Sequence, residues 1–376
     1  MNNSGRIAII GAGVAGMALA ILAAKQGYRV SLYERDEGVS TIGAGVTLWP
    51  NAVFVLQQMG LAQQVKAVGG TPGFMRQFDR HGALQGEFDI ERVNELSGFP
   101  SVTLLRRDLM GILAAALVPL GVEMRFGCAV TPQDIDDLKQ EFDLVVGADG
   151  RMNSAVRQSL YNDAPYPRYH GFINIIGISQ LQPGALDDAI MDFRGQGERF
   201  GIVPIKAGLC FWAAAWTTAV DKERPLPGWY EELHRRFQHW PGKVQEVLEG
   251  YEERSLNRIF VHDLDPLPYW HKGNVLLLGD AAHAPLPTSG QGACQALEDA
   301  WHLVRLLKTG GELEDVLAGF YRQRIAKTTA AQASGRQVAK MIFAGSSTAD
   351  TKPPSSAPTI SAEQLSQFWM QGLAGH

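Results

Sequence analysis

The first 34 residues constrain the fold of this chain more than any other segment. A short apolar run, Ile7 to Ile10, is typical of a buried parallel strand, and three glycines follow it with the spacing G-x-G-x-x-G. In this spacing Gly11 permits a tight turn, Gly13 lets a pyrophosphate approach the backbone, and Gly16 lets the following helix pack closely on the strand. The segment therefore predicts a dinucleotide site at a strand-to-helix turn.

The helix and the second strand of this unit complete the prediction. The helix opens with Val14 and Ala15, whose backbone amides lie at an N-terminus that favours phosphate. The next apolar strand, Val30 to Tyr33, ends at Glu34, where a carboxylate can accept hydrogen bonds from both hydroxyls of an adenosine ribose. Glu34 argues against a 2′-phosphate at that ribose, and we include the adjacent Arg35 among the candidate cofactor contacts.

Composition limits the remaining possibilities. With 376 residues and 45% hydrophobic content, the chain is long enough for two domains with substantial cores. A net charge of −5 and the lack of any Lys and Arg run indicate neither a nucleic-acid nor a membrane partner, and no apolar run is long enough for a membrane span. Cys128, Cys210 and Cys294 have no C-x-x-C spacing, so we expect a cytoplasmic protein without disulfides or bound metal.

Two segments after Glu34 are candidates for the same site. A glycine-rich loop at residues 38–45 could line a cofactor, and Asn51 is predicted to cap the helix that follows it. A second helix is predicted from Arg106 to Leu117, with Arg106 and Arg107 at its N-terminal end. Two cations there oppose the helix dipole, so either an anion lies nearby or both arginines are simply solvated.

The order of strand patterns predicts an α/β protein with an interrupted dinucleotide-binding domain. Buried-strand patterns return at residues 142–148, before Asp149, and at residues 274–278, before Asp280, whereas residues 168–258 have the alternating, aromatic-rich pattern of an antiparallel sheet. We assign residues 1–72, 98–165 and 262–343 to a Rossmann-like domain and residues 73–97 and 166–261 to an inserted, mostly antiparallel β-sheet domain. Residues 344–376 are predicted to form a polar linker and a short terminal helix.

Three separated motifs together resemble one known family. They are GAGVAG with its following Glu34, DLVVGADG with RMNSAVR, and LLLGDAAHAPLPTSGQGACQALEDA. In this order and spacing they are similar to the single-component FAD-dependent aromatic hydroxylases, which include para-hydroxybenzoate, salicylate and urate hydroxylases. The resemblance implies a para-hydroxybenzoate hydroxylase-like fold and tightly but non-covalently bound FAD. It also implies a monooxygenase that uses NADH or NADPH and O2 to hydroxylate a small aromatic substrate through a flavin hydroperoxide, as a monomer or homodimer.

The resemblance also implies roles for individual residues at the cofactor. Glu34 would hold the adenosine ribose, while Arg107 and Asp280 would contact the ribityl chain or the pyrophosphate. Asp149 is associated with both FAD and the reductant, and the alternative is that it only caps a turn after a strand.

A second set of implied contacts lies in the loop after Asp280. Gly290, Gly292 and Ala293 would present backbone amides to the pyrimidine end of the flavin. His283 in the same loop would either anchor the loop or act as a base.

The candidate substrate contacts come from the inserted sheet and from the same loop. Arg199 lies where the urate enzyme has a substrate-binding arginine, but Phe211 stands where that enzyme has a tyrosine, so the resemblance does not favour urate. Trp212 is a further pocket candidate, although core packing would equally explain both aromatic residues. The carbonyl of Pro287 could accept a hydrogen bond from a phenolic hydroxyl and so make the ring more nucleophilic.

Two alternatives to a hydroxylase remain open from the sequence. One is an FAD enzyme of another class, such as a dehydrogenase, a reductase or a halogenase, although the segment FWAAAW is not the W-x-W-x-I-P expected of a halogenase. The other is a flavin-binding protein without catalytic activity. Substrate-dependent oxidation of NAD(P)H would separate a hydroxylase from both.

Overall fold

The computed structural model describes residues 5–40, 43–344 and 360–373. In this part of the chain the strands, in order, are β1 Arg6–Ile10, β2 Arg29–Tyr33, β3 Gly45–Leu48, β4 Phe74–Asp79, β5 Leu84–Asp89, β6 Val102–Leu105, β7 Glu123–Arg125, β8 Leu144–Gly147, β9 Arg168–Gln180, β10 Ala189–Arg194, β11 Glu198–Pro204, β12 Leu209–Thr217, β13 Asn257–Asp263, β14 His271–Lys272 and β15 Val275–Leu277. The helices are α1 Val14–Lys25, α2 Pro50–Met59, α3 Ala62–Val68, α4 Ile90–Ser97, α5 Arg106–Leu117, α6 Asp134–Glu141, α7 Ala155–Leu160, α8 Leu226–Phe237, α9 Gly242–Glu249, α10 Asp280–His283, α11 Gly292–Thr309, α12 Leu313–Phe343 and α13 Ala362–Met370.

A six-stranded sheet forms the dinucleotide-binding part of the fold. Its strand order is β14-β15-β8-β1-β2-β7, and every pairing except β14 with β15 is parallel. Ile7 and Ile9 in the central strand β1 are fully buried, as expected for a parallel strand with both faces covered. Helices α1, α5 and α11 pack together beside it. The α/β, Rossmann-like fold predicted from the sequence is confirmed.

The second sheet has seven strands in the order β13-β9-β12-β11-β10-β4-β5. Its pairings are antiparallel, apart from the parallel pair β10 and β4, so the mostly antiparallel insert is also confirmed. Alternate residues of β11 and β12, including Phe200, Trp212 and Trp216, are buried beneath α8 and α9. The other face of the sheet therefore turns toward the dinucleotide-binding part. The domain boundaries given above stay a prediction.

The start of α2 differs from the prediction. Trp49 is its N-cap residue and Pro50 its first residue, which makes Asn51 the second residue of the helix, where its side chain cannot cap. The Asn51 amide is instead fully buried and donates to side chains of α11 and of the residue before it.

The C-terminal region is described only in part. The predicted polar linker at residues 345–358 lies outside the described residues, whereas the predicted terminal helix is present as α13. No helix in the described part of the chain combines the length and apolarity that crossing a membrane requires.

Candidate functional site

The glycine-rich turn after β1 leaves open space where its sequence predicts a pyrophosphate. A Cβ on Gly11 would lie 2.4 Å from the carbonyl oxygen of Ala148, and one on Gly16 would lie 1.9 Å from the carbonyl oxygen of Gly11. Gly11 also has a φ of 104°, which side chains rarely adopt. By contrast, a Cβ on Gly13 would meet no described atom within 4 Å. Gly11 and Gly16 are thus required by packing, while Gly13 borders a free cradle at the N-terminus of α1.

Glu34 lies beside this turn, and the next residue, Arg35, is exposed. One carboxylate oxygen of Glu34 accepts a hydrogen bond from the Ala12 N–H at 2.7 Å, and the other accepts one from the Asp36 N–H at 3.1 Å. Each oxygen retains a free lone pair for a ribose hydroxyl. The Arg35 side chain is 66% exposed and pairs with Asp36 at 4.0 Å, and its contact with the cofactor stays a prediction.

Of the two arginines that open α5, only Arg106 turns toward the site. Burial lowers the pKa of Arg106, Asp280 opposes this shift, and Arg151 adds to it, so these three side chains are near one another. Arg107 is exposed and pairs with Glu252 of the second sheet domain at 3.7 Å. Successive helical residues point about 100° apart, because a turn holds 3.6 residues. The structure therefore corrects the assignment, with Arg106 beside the candidate site in place of Arg107.

The second half of the site is the loop between β15 and α11. A Cβ on Gly279 would lie 2.8 Å from Cβ of Ala15, which brings this loop against the N-terminus of α1. Asp280 follows, with one oxygen 3.9 Å from where a Cβ on Gly292 would lie and the other 3.8 Å from the Arg151 guanidinium. Gly292 begins α11, so two helix N-termini and two arginines converge on one small region. Such a set favours a ligand with several negative charges.

The Asp149 carboxylate accepts hydrogen bonds from the segment that directly follows it. One oxygen accepts from the Ser154 hydroxyl at 2.6 Å and the other from the Val156 N–H at 3.2 Å. Burial raises the pKa of Asp149, although these bonds and Arg157 oppose the shift. The buried Arg157 in turn donates to the Ala281 carbonyl at 2.9 Å. This geometry favours the capping role, which fixes the turn against the loop that carries Asp280.

His283 is an anchor of that loop. It is 2% exposed, and its Nε2 lies 2.5 Å from a carboxylate oxygen of Asp299 in α11. The same oxygen accepts the Gly279 N–H at 3.0 Å, and Arg324 of α12 donates to the other oxygen at 2.7 Å. Burial alone would raise the pKa of Asp299, but His283 and Arg324 outweigh it and bring the pKa to about 2. A carboxylate held in this way fixes the first part of the loop, from Gly279 to His283, against α11.

A buried polar network extends from Asp299, and the sequence analysis missed it. Beside it, Glu298 accepts from Arg324 at 2.7 Å, from Lys327 at 2.9 Å and from Asn51 at 2.6 Å. The sequence does contain a signal of this network. Two acids, Glu298 and Asp299, interrupt the apolar face of α11, and two cations, Arg324 and Lys327, interrupt a buried stretch of α12. Sequence alone does not show that the two helices face each other there.

The face of the second sheet that turns toward the site carries a charged cluster and a patch of small residues. Arg194 and Arg199 are cross-strand neighbours, and both donate to the buried Asp192, at 2.8 and 2.5 Å. Burial alone would raise the pKa of Asp192, but the arginines outweigh it and lower the pKa. One step along the sheet, Gly201 pairs with Ala213, so this pair adds only one methyl group to the face, and the Arg199 guanidinium lies 3.6 Å from where a Cβ on Gly201 would be. The cluster carries one net positive charge beside the patch of small residues.

Phe211 and Trp212 lie on opposite faces of β12. A Cβ on Gly45 would lie 2.1 Å from the Phe211 ring, so Phe211 packs against the glycine-rich loop on the side of the site. Trp212 is fully buried under α8 and α9, and its indole N–H donates to the Ser179 hydroxyl at 2.8 Å. The structure contradicts Trp212 as a pocket residue, because side chains alternate along a strand.

Pro287 and Ala293 lie at the two ends of residues 287–293, the segment that leads into α11. Pro287 is exposed, and its carbonyl already accepts the Gly290 N–H at 3.0 Å, which leaves one lone pair for another donor. Gly290 has a φ of 63° and closes this turn, and Ala293 lies half-buried in the first turn of α11.

A separate cavity of about 500 Å³ lies behind the site, between α11, α12 and the end of α13. Arg305, Arg324 and Lys327 contribute to its lining, but Arg324 and Lys327 already donate to Glu298. Among the described residues its lining includes none from the glycine-rich turn or from the second sheet. We therefore do not assign this cavity to the cofactor or the substrate.

Comparison with known proteins supports one reading of this geometry. A family described as "FAD binding domain" matches residues 5–312. The chain is 30% identical to aurachin C monooxygenase/isomerase of Stigmatella aurantiaca, over 85% of each chain. It is 32% identical to 3-amino-4-hydroxybenzoate 2-monooxygenase of Streptomyces cremeus, over 89% of this chain and 87% of that one. Its fold is similar to that of Klebsiella pneumoniae HpxO, solved with FAD and uric acid, with a TM-score of 0.79, 24% identity and coverage of 90% and 89%.

Proposed function

The chain belongs to the family of FAD-dependent aromatic monooxygenases, and on that basis we propose that its substrate is a small aromatic or heteroaromatic ring carrying an anionic group, with NADH or NADPH as electron donor and O2 as oxidant. The observation that carries the substrate class is the cluster of Arg194, Asp192 and Arg199 beside the patch of small residues on the second sheet.

The residues around the glycine-rich turn fit FAD. The free cradle at Gly13 suits a pyrophosphate, Glu34 retains lone pairs for the ribose, and the open N-terminus of α11 suits the electron-rich end of a flavin. Asp280 and Arg106 would hold the ribityl chain and the pyrophosphate. When bound, FAD would supply the redox chemistry that activates oxygen, which the side chains of this chain do not provide.

The protein's own contribution is to bind and orient the ring and to exclude water. We propose that Arg199 pairs with the anionic group of the substrate, because Asp192 holds its guanidinium against the sheet. The flat ring would then lie over Ala213 and beside the Arg199 guanidinium, which itself covers Gly201. Phe211 would close the end of the proposed substrate pocket that lies opposite Arg199. Fixing the ring in this way supplies orientation, and a dry pocket suppresses side reactions with water.

The proposal is tested with a panel of hydroxylated benzoates and pyridine carboxylates, each paired with its neutral amide. We expect some carboxylates to stimulate NADH or NADPH oxidation and to gain one oxygen by mass spectrometry, whereas the matched amides do neither. Equal turnover of acids and amides would contradict the anionic substrate class. Stimulated NADH oxidation that gives a substrate reduced by two electrons, with no oxygen inserted into any ring, would instead favour a reductase.

Arg199→Met is expected to raise the KM of an accepted carboxylate by about 10- to 100-fold, because a charge-assisted hydrogen bond contributes about 1.5–3 kcal/mol. Arg76→Met is the control, because Arg76 lies on the opposite face of the same sheet and pairs with Glu87 at 2.7 Å. Steady-state kinetics with both variants provide the comparison. A KM for Arg199→Met equal to that of the control would remove Arg199 from the substrate site.

Arg106→Met is expected to weaken FAD binding by about tenfold or more, because it removes a half-buried cation from the candidate pyrophosphate region. Arg107→Met should change the Kd by less than about threefold, because its pair with Glu252 is exposed and such pairs contribute little. Titration of the apoprotein with FAD, followed by flavin fluorescence, measures both values. The reverse order of effects would restore the assignment made from the sequence.

A further inference from the structure

The C-terminal helix α13 lies outside the segment that matches the FAD-binding family, which ends at residue 312. It nevertheless packs against α2 of the FAD-binding part and against α4. Its Trp369 and Met370 are almost completely buried there, and the Ser366 hydroxyl bonds to the Ser97 hydroxyl at 2.8 Å. The helix is therefore an integral part of the core next to the candidate flavin loop at residues 290–292.

One line of contacts joins α13 to that loop through a pair of tryptophans. The indole rings of Trp369 and Trp49 lie 4.6 Å apart, centre to centre, with 32° between their planes. The Trp49 N–H donates to the carbonyl of Gly290 at 3.0 Å. A Cβ on Gly290 would lie 3.1 Å from that indole nitrogen, so the ring presses directly on the loop backbone. Trp369 thus fixes the position from which Trp49 holds Gly290.

A second line of contacts joins the end of α13 to the next residue of the loop. Lys327 donates to the carbonyls of Trp369 and Gln371 at 2.5 and 3.2 Å, and to Glu298 at 2.9 Å. The other oxygen of Glu298 accepts from Asn51, which also donates to the side-chain oxygen of Gln291 at 3.1 Å. Gln291 is buried between Gly290 and Gly292. Two lines of contact therefore run from α13 to adjacent residues of the loop, one through Trp49 and one through Asn51 at the start of α2.

We propose that Trp369 is a positioning residue for the flavin-binding loop, acting through Trp49 on the carbonyl of Gly290. The backbone at Gly290 already has a left-handed φ, and the adjacent helix N-terminus must be presented at a fixed angle to bind a flavin well. Removing the Trp369 ring leaves Trp49 free to rotate off the loop. This inference requires FAD to bind at this loop, and it does not depend on which substrate is hydroxylated.

The test measures FAD binding and the flavin spectrum of Trp369→Ala, with Trp369→Phe as the conservative variant and Phe368→Ala as the matched control. Phe368 is a half-buried aromatic residue of the same helix, and no ring contact joins it to Trp49 in the described ranges. We expect Trp369→Ala to weaken FAD binding by about tenfold and to shift the visible absorption bands of the bound flavin. Trp369→Phe should restore most of the affinity, and Phe368→Ala should change it by less than about threefold.

Trp49→Phe separates the proposed path from general loss of stability. It keeps an aromatic ring against Trp369 but removes the N–H that donates to Gly290, so it should reproduce the shift of the flavin bands even if Trp369→Ala does not fold. Thermal melting of each apoprotein reports stability independently of the cofactor. The proposal is overturned if Trp369→Ala binds FAD like the wild type, if Phe368→Ala loses as much affinity, or if Trp49→Phe leaves the bands unchanged.

Discussion

Gly13→Val is expected to yield a folded protein that has lost FAD. A Cβ on Gly13 meets no described atom within 4 Å, so the apoprotein has room for the new side chain. The larger residue would fill the cradle where the pyrophosphate must approach the backbone amides. Losing two charge-assisted hydrogen bonds there, each of about 1.5–3 kcal/mol, would weaken FAD binding by at least about 100-fold. Replacing the N-cap glycine itself should cost only about 1 kcal/mol of stability.

Two other glycines, Gly16 and Gly111, provide comparisons for this prediction. Gly16→Val should fail to fold, because its Cβ would lie 1.9 Å from the carbonyl oxygen of Gly11. Gly111→Ala should keep both fold and FAD, since Gly111 is exposed in α5 and a Cβ there meets nothing within 4 Å. Thermal melting of the apoproteins and FAD titration measure the two properties separately. A yellow Gly13→Val protein with normal affinity would move the cofactor away from this turn.

Arg324→Met should destabilise the protein by about 3–5 kcal/mol, because it leaves two buried carboxylates without their shared cation. Arg324 is fully buried and donates to Asp299 and to Glu298, both at 2.7 Å. The loss is also expected to release His283, and with it the loop that carries Asp280. Urea unfolding gives the change in the free energy of unfolding.

The control for Arg324→Met is Arg92→Met. Arg92 is 49% exposed and pairs with Glu95 at 3.3 Å and with Glu363 at 3.6 Å, and removing it should change stability by less than about 1 kcal/mol. If the two variants lost the same stability, the buried network would be no more important than a surface ion pair.

The sequence predicted the elements of this fold more reliably than the directions of their side chains. The bounds of α5 and the β1, α1, β2 unit follow directly from apolar spacing, glycines and a terminal acid. Arg107 was assigned by resemblance to the family, and Arg106 points to the site in its place because successive helical residues lie about 100° apart. Trp212 was misplaced because alternation in β12 shows that two faces exist but not which face meets the cofactor.

The buried polar network could not be predicted from the sequence, for a different reason. Asp299 and Arg324 belong to different helices, and Asn51 comes from a third helix near the start of the chain. Taken alone, each of these residues is typical of a solvated polar side chain on a helix. Only the packing of α2, α11 and α12 brings these groups together, and that packing depends on the whole core.

The order of strands in the first sheet determines when the cofactor site can form during synthesis. β8 pairs with both β1 and β15, whose residues, 6–10 and 275–277, leave the ribosome far apart in time. α1 must likewise wait for α11, which ends at Thr309. Such long-range pairing slows folding and leaves strand edges open to aggregation. In a growing chain the glycine-rich turn and Glu34 are therefore made long before β15 and α11, which contribute the second half of the candidate cofactor site.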